Sequence, residues 1–328
     1  MSAPDTVGVV GAGAWGTAIA QLAASNGYQV RLWARDPARV EAIVATRRNE
    51  AYLPGVDLAP LIEPVTDLTW VAEAEVVFVV TPAQAMRAVL EELPCYAQPL
   101  VLCSKGIEAG TLKLMHEVAR EALEYSPVAV LSGPTFAGEV ARGLPTAVTI
   151  AAEDAGLASQ LASYIARPTF RTYTSTDVVG AEIGGAVKNV LAIACGVVEG
   201  AGLGNNARAA LIARGFAEMT RFGLARGARA ETLAGLSGLG DLVLTCSSAQ
   251  SRNFSLGVGL GRGERPADLL AGRSTVAEGA ATAPVLREAA AAAGVEMPVT
   301  EAVCQLLRGC EATAVVRSLL ARPLRSEA

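Results

Sequence analysis

The chain has 328 residues, of which 52% are hydrophobic and only 18% are charged, and its formal net charge is −5. This length exceeds that of a usual single domain, and the apolar content is sufficient to bury a large core. The acidic balance leaves no basic footprint, which argues against nucleic acid as the main partner.

The first half of the chain alternates strand-like and helix-like segments. Residues 14–26 carry an apolar helical stripe that stops at Gly27, a residue that commonly ends a helix. Strand-like apolar runs lie at residues 7–10, 28–34, 75–80, 100–104, 128–131 and 147–151. This alternation predicts an α/β fold, a Rossmann-type doubly wound parallel sheet, over residues 1–178 as the dinucleotide-binding domain.

The second half has a different pattern, which begins after Asp177. Long Ala/Leu/Val segments with helical spacing dominate, at residues 180–199, 205–226, 229–235, 265–271, 281–293 and 298–307. Strand-like runs nearly vanish, apart from residues 242–244. We therefore predict an all-helical substrate and catalytic domain over residues 179–328. A Rossmann domain followed by a helical domain predicts a cleft for a small substrate beside the nicotinamide.

The cysteines and the apolar stretches indicate the compartment. The chain begins without a basic n-region, so we expect no signal peptide. Residues 187–203 are apolar but contain Lys188, Asn189 and Glu199, which favours a buried helix over a membrane span. Six cysteines lack metal-type spacing, which predicts reduced thiols in a cytoplasmic protein and no metal site: Cys95, Cys103, Cys195, Cys246, Cys304 and Cys310.

A glycine-rich motif lies between the first strand-like run and the first helix. Residues 11–16, Gly-Ala-Gly-Ala-Trp-Gly, fit the G-x-G-x-x-G pattern of dinucleotide-binding folds. Gly11 allows the tight turn, Gly13 lets the backbone approach the pyrophosphate, and Gly16 lets the helix pack close to the sheet. The helix N-terminus then offers N–H groups to the phosphates. The alternative is a purely structural glycine-rich turn.

The residue that reads the adenosine ribose is expected about 20 residues past the last glycine. Arg35 and Asp36 occupy this place. An acid favours NAD, whereas an arginine stacks on adenine and pairs with a 2′-phosphate. Because Arg35 comes first, we predict acceptance of NADP without excluding NAD. The alternative is a surface arginine followed by Asp36 as the N-cap of a helix that starts at Pro37.

Lysine is the candidate proton donor. His116, the only histidine, lies in the helix-like stretch 113–123 with no chemical partner nearby, so we expect it on the surface or in packing. Of 27 basic residues only three are lysines, and two of these, Lys105 and Lys188, lie in apolar, glycine-rich settings. Lys105 directly follows the run 100–104, at the carboxyl edge of the predicted sheet, where ligands bind.

Lys188 lies beside an apolar helical stripe. Burial and a second nearby ammonium would both lower the pKa of a lysine, which suits a group that donates and takes protons near neutrality. The alternative for each lysine is a stem packed against a helix with its ammonium in water.

Two further segments carry polar groups suited to a ligand. Residues 133–138, Gly-Pro-Thr-Phe-Ala-Gly, follow a strand-like run and offer N–H groups and a hydroxyl at the same sheet edge. Residues 235–241 lead into Ser247, Ser248, Ser251, Arg252 and Asn253. Hydroxyls, an amide and one arginine with few carboxylates resemble a phosphate or polyol site. By residue type alone, a solvated loop is the alternative.

Taken together, these residues resemble the bacterial-type NAD(P)-dependent glycerol-3-phosphate dehydrogenases. The resemblance spans almost the whole chain in family order and spacing, through Gly11-Ala-Gly-Ala-Trp-Gly-Thr-Ala, Ser104-Lys-Gly, Ser132-Gly-Pro-Thr-Phe-Ala, Lys188-Asn-Val, Gly238-Leu-Gly-Asp-Leu, Ser251-Arg-Asn and Val276-Ala-Glu-Gly. It implies reduction of dihydroxyacetone phosphate to sn-glycerol 3-phosphate by NADPH, slightly favoured, or NADH. It also implies a supply role in glycerophospholipid synthesis, and it allows a homodimer.

The resemblance also implies roles for individual residues. Lys188 is the proton donor to the ketone, with Asp241 oriented to hold it, and Arg252 binds the substrate phosphate and approaches the cofactor. Lys105 contacts both substrate and cofactor and adds positive charge at the reacting oxygen. The remaining implied substrate contacts are Gly133, Thr135, Asp241, Ser251 and Asn253. The remaining implied cofactor contacts, beside the three motif glycines, are Ala14, Trp15, Arg35, Ala137, Val276 and Glu278.

Two other classes of protein compete with this interpretation. A β-hydroxyacid dehydrogenase or ketopantoate reductase also places a lysine near an asparagine in a helical domain. Such an enzyme binds a carboxylate, and it does not explain the Gly-Pro-Thr-Phe and Ser-Arg-Asn segments together. A non-catalytic dinucleotide sensor is the second class, and retention of both lysines and Asp241 argues against it.

Overall fold

The computed structural model describes residues 5–94, 97–271 and 277–321. The chain divides into two compact units, Met1–Glu182 and Ile183–Ala328. The first unit is an α/β structure, and in the described residues of the second unit every regular element is a helix. The predicted fold class, a Rossmann-type sheet followed by helices, is confirmed.

The first unit is built on one eight-stranded sheet with the strand order β3-β2-β1-β4-β5-β6-β7-β8. The strands are β1 (Thr6–Val10), β2 (Gln29–Trp33), β3 (Ile62–Val65), β4 (Val76–Val79), β5 (Leu100–Leu102), β6 (Val128–Ser132), β7 (Thr146–Ala152) and β8 (Phe170–Ser175). The helices are α1 (Ala14–Ser25), α2 (Pro37–Thr46), α3 (Thr69–Ala72), α4 (Met86–Glu92), α5 (Met115–Ala122), α6 (Ala137–Ala141) and α7 (Ala155–Ser163).

The central strands are apolar on both faces because both faces are covered. Every residue of β4, β5 and β6 is buried. Phe78 and Val101 pack into one core cluster, whereas their neighbours Val79 and Leu102 pack into the other. A strand with both faces covered has a continuous run of apolar residues in its sequence. These strands could therefore be predicted from the sequence.

The sheet differs from the prediction in one pairing and at both edges. β7 runs antiparallel to β6, so the sheet is not wholly parallel. β3 and β8, which the sequence did not indicate, form the two edges. Glu63 and Pro64 interrupt the apolar run of β3, and Phe170 is the one buried residue of β8. Edge strands tolerate proline and polar residues because they are paired on one side only.

His116 is buried and has a partner, in contrast to the prediction of a histidine without one. Its Nδ1 lies 2.6 Å from Glu182 Oε2, and its backbone N–H donates to Glu182 Oε1 (2.8 Å). Burial alone would lower the pKa of His116, but the hydrogen bond and charge of Glu182 outweigh it, and the pKa is raised. Glu182 lies 66 residues away in the chain, too far for a local pattern to reveal the pair.

The second unit consists of helices. They are α8 (Val178–Gly200), within which the division between the units falls, α9 (Gly204–Ala225), α10 (Ala230–Ala234), α11 (Asp241–Cys246), α12 (Arg252–Gly261), α13 (Pro266–Ala271), α14 (Glu278–Ala292), α15 (Pro298–Leu307) and α16 (Ala312–Leu320). The run 242–244, predicted as a strand, is part of α11. Residues 252–261 form a helix that the sequence did not indicate.

α8 is long and apolar enough to cross a membrane by length and composition alone. However, 94% of its most apolar 18-residue window is buried within the protein. It is the one helix in the described part of the chain that passes this test. A buried helix of this kind is the core helix that the sequence predicted rather than a membrane span.

Glycines allow α8 and α12 to approach each other closely. A Cβ on Gly257 of α12 would lie 2.0 Å from the carbonyl oxygen of Ile193, and a Cβ on Gly196 of α8 would lie 2.0 Å from that of Phe254. No real Cβ tolerates such a distance from a backbone oxygen, so the two helices are in backbone contact only because both positions are glycine.

Replacing Gly257 should therefore separate the two helices. We expect Gly257→Ala to lower the free energy of unfolding by about 1–3 kcal/mol, because the added methyl group displaces rigid backbone. The matched control is Gly138→Ala in α6, where a Cβ would meet no described atom within 4 Å. This control should be neutral or stabilising by up to about 1 kcal/mol. Urea unfolding of both variants measures the difference, and equal effects would contradict the assigned contact.

The His116–Glu182 pair should make stability depend on pH. Because the folded-state pKa of His116 is raised above 6.5, the pair stabilises the fold fully below pH 6.5. Its contribution is lost as the pH rises through the folded-state pKa. Nearby Glu117 raises this pKa and Arg120 lowers it, by smaller amounts. We expect the urea midpoint difference between wild type and His116→Gln to shrink as the pH rises above 6.5, and a constant difference would refute the linkage.

Candidate active site

The glycine-rich turn between β1 and α1 has the geometry that its motif requires. Gly11 has φ = 118°, a conformation that side chains disfavour, and its N–H donates to Trp33 O (3.1 Å). A Cβ on Gly16 would lie 1.8 Å from the carbonyl oxygen of Gly11. A Cβ on Gly13 would meet no described atom within 4 Å, so the backbone there borders open space. The turn therefore fits a dinucleotide pyrophosphate at the N-terminus of α1.

Two polar residues that the sequence reasoning missed hold this turn from behind. Asn49 is buried, and its Nδ2 donates to Ala12 O (2.9 Å) and to Thr17 Oγ1 (2.8 Å). Thr17 Oγ1 in turn donates to Gly13 O (2.8 Å). Asn49 lies 37 residues from Ala12 in sequence, so no spacing rule points to it.

The other predicted cofactor residues near this turn differ in exposure. Ala14 and Trp15 open α1 and are partly exposed, and Arg35 is exposed after the end of β2. Asp36 caps α2, and its Oδ1 accepts the N–H of Ala38 (3.1 Å). The alternative interpretation of Asp36 as an N-cap thus describes its structural role. The predicted contact of Arg35 with a 2′-phosphate stays a prediction.

The carboxyl edge of the sheet brings together three predicted substrate residues. Lys105 follows β5 and is half-buried, and its Nζ lies 3.5 Å from Gly133 O, at the outer limit of a hydrogen bond. Thr135 Oγ1 lies 3.4 Å from the same oxygen. Gly133 has φ = 152°, and a Cβ there would lie 2.9 Å from the Cα of Val148. Ala137, a predicted cofactor contact, is the first residue of α6.

The second unit contains a buried ion pair, between Lys188 of α8 and Asp241 of α11. Lys188 Nζ donates to Asp241 Oδ1 (2.6 Å) and to Thr245 Oγ1 (3.1 Å). Thr245 Oγ1 also lies 3.3 Å from Asp241 Oδ1, which closes a triangle of three side chains. Lys188 is 6% exposed and Asp241 is fully buried. The sequence nominated both charged residues, and the structure places them in direct contact.

The local fold explains why these charges are stable in the interior. Asp241 is the first residue of α11, and its Oδ1 accepts hydrogen bonds from Lys188 Nζ and from Thr245 Oγ1, so the buried carboxylate has two donors. One π-helical turn, Leu236–Gly240, precedes it and sets its position. Thr245 follows Asp241 by four residues, one helical turn, which puts both side chains on the same face of α11. A lysine side chain held in this way has its Nζ fixed in one position, an arrangement that can donate a proton to a ligand.

Asn253 connects α12 to this cluster. Its Nδ2 donates to Asn189 Oδ1 (3.0 Å) on α8, and its Oδ1 accepts the N–H of Gly279 (3.0 Å) on α14. Asn189 and Asn253 are both buried. The predicted substrate residue Asn253 is therefore fixed next to the neighbour of Lys188 and ties three helices together.

The segment that precedes Asn253 is ordered as a helix start, in contrast to the solvated loop that residue type suggested. Ser251 is buried and caps α12, and its Oγ accepts the N–H of Phe254 (3.2 Å). Arg252 is the first residue of this helix and is exposed. A helix start holds its side chains more firmly than a solvated loop does, which suits a residue that must bind one ligand group.

The remaining predicted residues lie at the start of α14. Glu278 is its first residue and is partly exposed. Val276 lies outside the described residues. Two residues of the cluster, Thr245 and Asn189, were not among the predicted site residues. The four-residue spacing from Asp241 and the position next to Lys188 are the signals that point to them.

Two of the described cysteines, Cys103 and Cys246, are buried thiols with raised pKa values. Burial raises the pKa of Cys103 to about 12, close to Lys105. The pKa of Cys246 is raised well above its usual value, mainly by a hydrogen bond with Cys195 and secondly by burial. Both thiols are therefore protonated at neutral pH and are poor nucleophiles. In residues 5–94, 97–271 and 277–321, no group of three or more His, Cys, Asp or Glu side chains is placed to hold a metal ion.

The chain is similar to a large set of known dehydrogenases. A protein from Sphingopyxis alaskensis named glycerol-3-phosphate dehydrogenase (NAD(P)+) 1 is 60% identical over 328 residues, covering 100% of this chain and 99% of that protein. A glycerol-3-phosphate dehydrogenase (NAD(P)+) from Caulobacter vibrioides is 57% identical and covers 99% of each chain. The crystal structure of glycerol-3-phosphate dehydrogenase from Coxiella burnetii superposes with a TM-score of 0.93 at 37% identity, covering 97% of this chain and 99% of that one.

Two family models match in succession and together cover most of the chain. Residues 6–158 match the NAD-dependent glycerol-3-phosphate dehydrogenase N-terminus, and residues 177–316 match the C-terminus of the same family. The predicted resemblance and the predicted class of NAD(P)-dependent oxidoreductase are thereby confirmed. This chain belongs to the NAD-dependent glycerol-3-phosphate dehydrogenase family.

Proposed function

We propose that this protein catalyses the reversible reduction of dihydroxyacetone phosphate to sn-glycerol 3-phosphate, with NADPH or NADH as reductant. The single observation that carries the proposal is the buried Lys188–Asp241 ion pair, which is a proton donor held in one orientation. The names of the relatives from Sphingopyxis and Caulobacter support the substrate and the cofactor. The glycine-rich turn at residues 11–16 fits the dinucleotide.

Lys188 supplies the proton in this proposal. A dinucleotide held at the glycine-rich turn of residues 11–16 would supply the hydride for C2 of the ketone. As the C=O double bond becomes a single bond, the Lys188 ammonium transfers its proton to the ketone oxygen, and the amine is left neutral. In the reverse direction the neutral amine takes the hydroxyl proton. Asp241 and Thr245 hold Nζ and stabilise its charged form.

The other proposed substrate residues bind and orient the ketone. Arg252, at the start of α12, pairs with the phosphate, for which its planar guanidinium is suited. Lys105 adds a positive charge that stabilises the developing alkoxide. Hydrogen-bonding groups for the hydroxyl and phosphate oxygens come from Gly133, Thr135, Ser251 and Asn253. Fixing both ends of a small substrate removes much of the entropic barrier to reaction.

The cofactor assignment rests on residues of the first unit and on the start of α14. We propose that Ala14, Trp15 and Ala137 contact the dinucleotide and that Arg35 favours NADPH over NADH, because its exposed guanidinium matches a 2′-phosphate. Lys105, Arg252, Val276 and Glu278 complete the proposed contacts. The dinucleotide-binding role is thus assigned to residues 1–178 and the catalytic role to residues 179–328.

A cytoplasmic setting and a supply role in glycerophospholipid synthesis complete the proposal. The five described cysteines are all free thiols, and Cys195 and Cys246 remain unlinked although they share a hydrogen bond. Free neighbouring thiols are typical of a reducing compartment. Because sn-glycerol 3-phosphate is the backbone of glycerophospholipids, its synthesis from a ketone in that compartment supplies their assembly.

The decisive experiment follows the oxidation of NADPH by absorbance with dihydroxyacetone phosphate as substrate and NADH in parallel. Rapid oxidation is the expected result, and a higher rate with NADPH than with NADH supports the role of Arg35. Pyruvate and ketopantoate serve as control substrates for the competing reductases. Binding of NADPH without oxidation by any of the three carbonyl compounds would leave only a dinucleotide sensor.

Replacing Lys188 should abolish turnover without loss of cofactor binding. We expect Lys188→Ala to lower kcat by at least about a hundredfold, the usual contribution of a general acid, with the Kd for NADPH nearly unchanged. The matched control is Lys113→Ala, which removes the lysine that pairs with Glu121 and should keep full activity. Turnover of Lys188→Ala near the wild-type rate would remove this lysine from its role.

A second variant separates loss of catalysis from loss of folding. Lys188→Ala leaves the buried carboxylate of Asp241 without its partner, which destabilises a protein by about 3–5 kcal/mol. The double variant Lys188→Met, Asp241→Asn removes both charges at nearly constant volume. We expect it to fold, to bind NADPH and to remain inactive.

Replacing Arg252 should weaken the substrate far more than the cofactor. We expect Arg252→Ala to raise the KM for dihydroxyacetone phosphate by about a hundredfold, the effect of losing a desolvated charge pair, with a smaller change in the Kd for NADPH. Arg262→Ala, at the opposite end of α12 and also exposed, is the matched control and should leave KM unchanged. An unchanged KM in Arg252→Ala would refute the phosphate assignment.

A further inference from the structure

The loop that carries Lys105 is attached to one preceding connection of the first unit. This loop comprises residues 103–114, between β5 and α5, and the connection comprises residues 80–85, between β4 and α4. On the N-terminal side of Lys105, Ser104 Oγ donates to Thr81 O (2.5 Å). Ser104 is buried, so this bond fixes the residue that immediately precedes the lysine.

On the C-terminal side of Lys105, the side chain of Gln84 makes two hydrogen bonds to the loop backbone. Gln84 Nε2 donates to Ile107 O (2.7 Å), and Gln84 Oε1 accepts the N–H of Ala109 (2.9 Å). Both ends of a single planar amide are therefore engaged by one stretch of backbone. Two such bonds fix the orientation of residues 107–109 as well as their distance from the connection.

An ion pair lies between these two bonds. Arg87 Nε and Nη2 donate to the two carboxylate oxygens of Glu108 (2.8 and 2.9 Å). Thr111 Oγ1 also donates to Glu108 (2.5 Å), and the hydrogen bond from Arg87 is the main reason that the pKa of Glu108 is lowered. Thr81 and Gln84 of the connection and Arg87 of α4 are spaced three residues apart, and all three bind the loop that follows β5.

We propose that Gln84 is a positioning residue, which fixes the Cα of Lys105 and thereby the reach of its Nζ toward the substrate. A lysine has four rotatable side-chain bonds, so the position of its ammonium depends on how firmly its backbone is held. Lys105 lies between the bond at Ser104 and the bonds at residues 107–109, with only Gly106 before the second. This inference rests on the proposed contact of Lys105 with the substrate.

Because Gln84 is exposed, its role in positioning the loop can be distinguished from a contribution to the hydrophobic core. The Gln84 side chain is exposed, unlike the apolar residues of the sheet, and exposed substitutions usually change the free energy of unfolding by no more than about 0.5 kcal/mol. Its loss should therefore loosen the loop locally while the unit stays folded. Gln98 provides a matched control, because its Nε2 also donates to a backbone carbonyl of the first unit, that of Ala72 (2.8 Å).

The first measurement compares Gln84→Met with Gln98→Met, two substitutions that keep side-chain length and remove the amide. We expect Gln84→Met to lower kcat/KM for dihydroxyacetone phosphate by about tenfold, the equivalent of one or two lost hydrogen bonds, at an unfolding midpoint like that of Gln98→Met. Gln98→Met should keep the wild-type kcat/KM. Amide hydrogen exchange in residues 103–114 should accelerate in Gln84→Met alone. Unchanged exchange or unchanged kcat/KM in Gln84→Met overturns the proposal.

The second measurement is a double-mutant cycle with Lys105→Met, read by single-turnover product formation with excess enzyme. If Gln84 acts through Lys105, adding Gln84→Met to Lys105→Met should change the rate by less than about twofold. The same tenfold loss in both backgrounds would show that Gln84 acts elsewhere, and the inference would fail. A wild-type rate in Lys105→Met alone would instead remove Lys105 from the proposed function, an outcome that the single variant reveals by itself.

Discussion

The buried ion pair between Lys188 and Asp241 is the constraint around which the second unit is arranged. Two charges out of water cost several kcal/mol each unless their partners are close and well oriented, so such a pair is weak evidence for stability and stronger evidence for function. Here Lys188 Nζ lies 2.6 Å from Asp241 Oδ1, and the hydroxyl of Thr245 contacts both groups. Removal of either charge leaves the other buried without its partner, so the two side chains stabilise the fold only as a pair.

A helix beside this pair, α12, lies in close contact with α8. The glycines at 196 and 257 let α8 and α12 touch through their backbones, and Asn253 then reaches Asn189, the neighbour of Lys188. A methyl group at either glycine would push the start of α12 away, and Ser251 and Arg252 would move with it. The packing of α8 against α12 therefore also sets the positions of the polar groups at the start of α12. The two glycines contribute to the site by allowing this close backbone contact.

Sequence patterns predicted the parts of this protein that follow local rules. β4 to β6 were indicated because both their faces are buried, and the turn at Gly11 because backbone geometry demands glycine. Three consecutive apolar residues at 242–244 read equally as strand or helix, and α12 was missed because the glycines that allow its close packing also lower its helix propensity. Asn49 and Glu182 act on residues far along the chain, and no local period contains that information.

The two lysines show why a sequence can nominate a charged residue without revealing how it is used. Lys188 is held at its ammonium, by a buried carboxylate and a hydroxyl, so its Nζ is fixed and its backbone is one part of a long helix. Lys105 is held at its backbone, by Ser104 and by Gln84 on either side. An ammonium fixed by a carboxylate suits repeated proton transfer at one point, whereas a fixed backbone with a longer reach suits contact with a substrate that enters and leaves. The fold thus restrains the two lysines at different parts of the residue, which supports the different roles proposed for them.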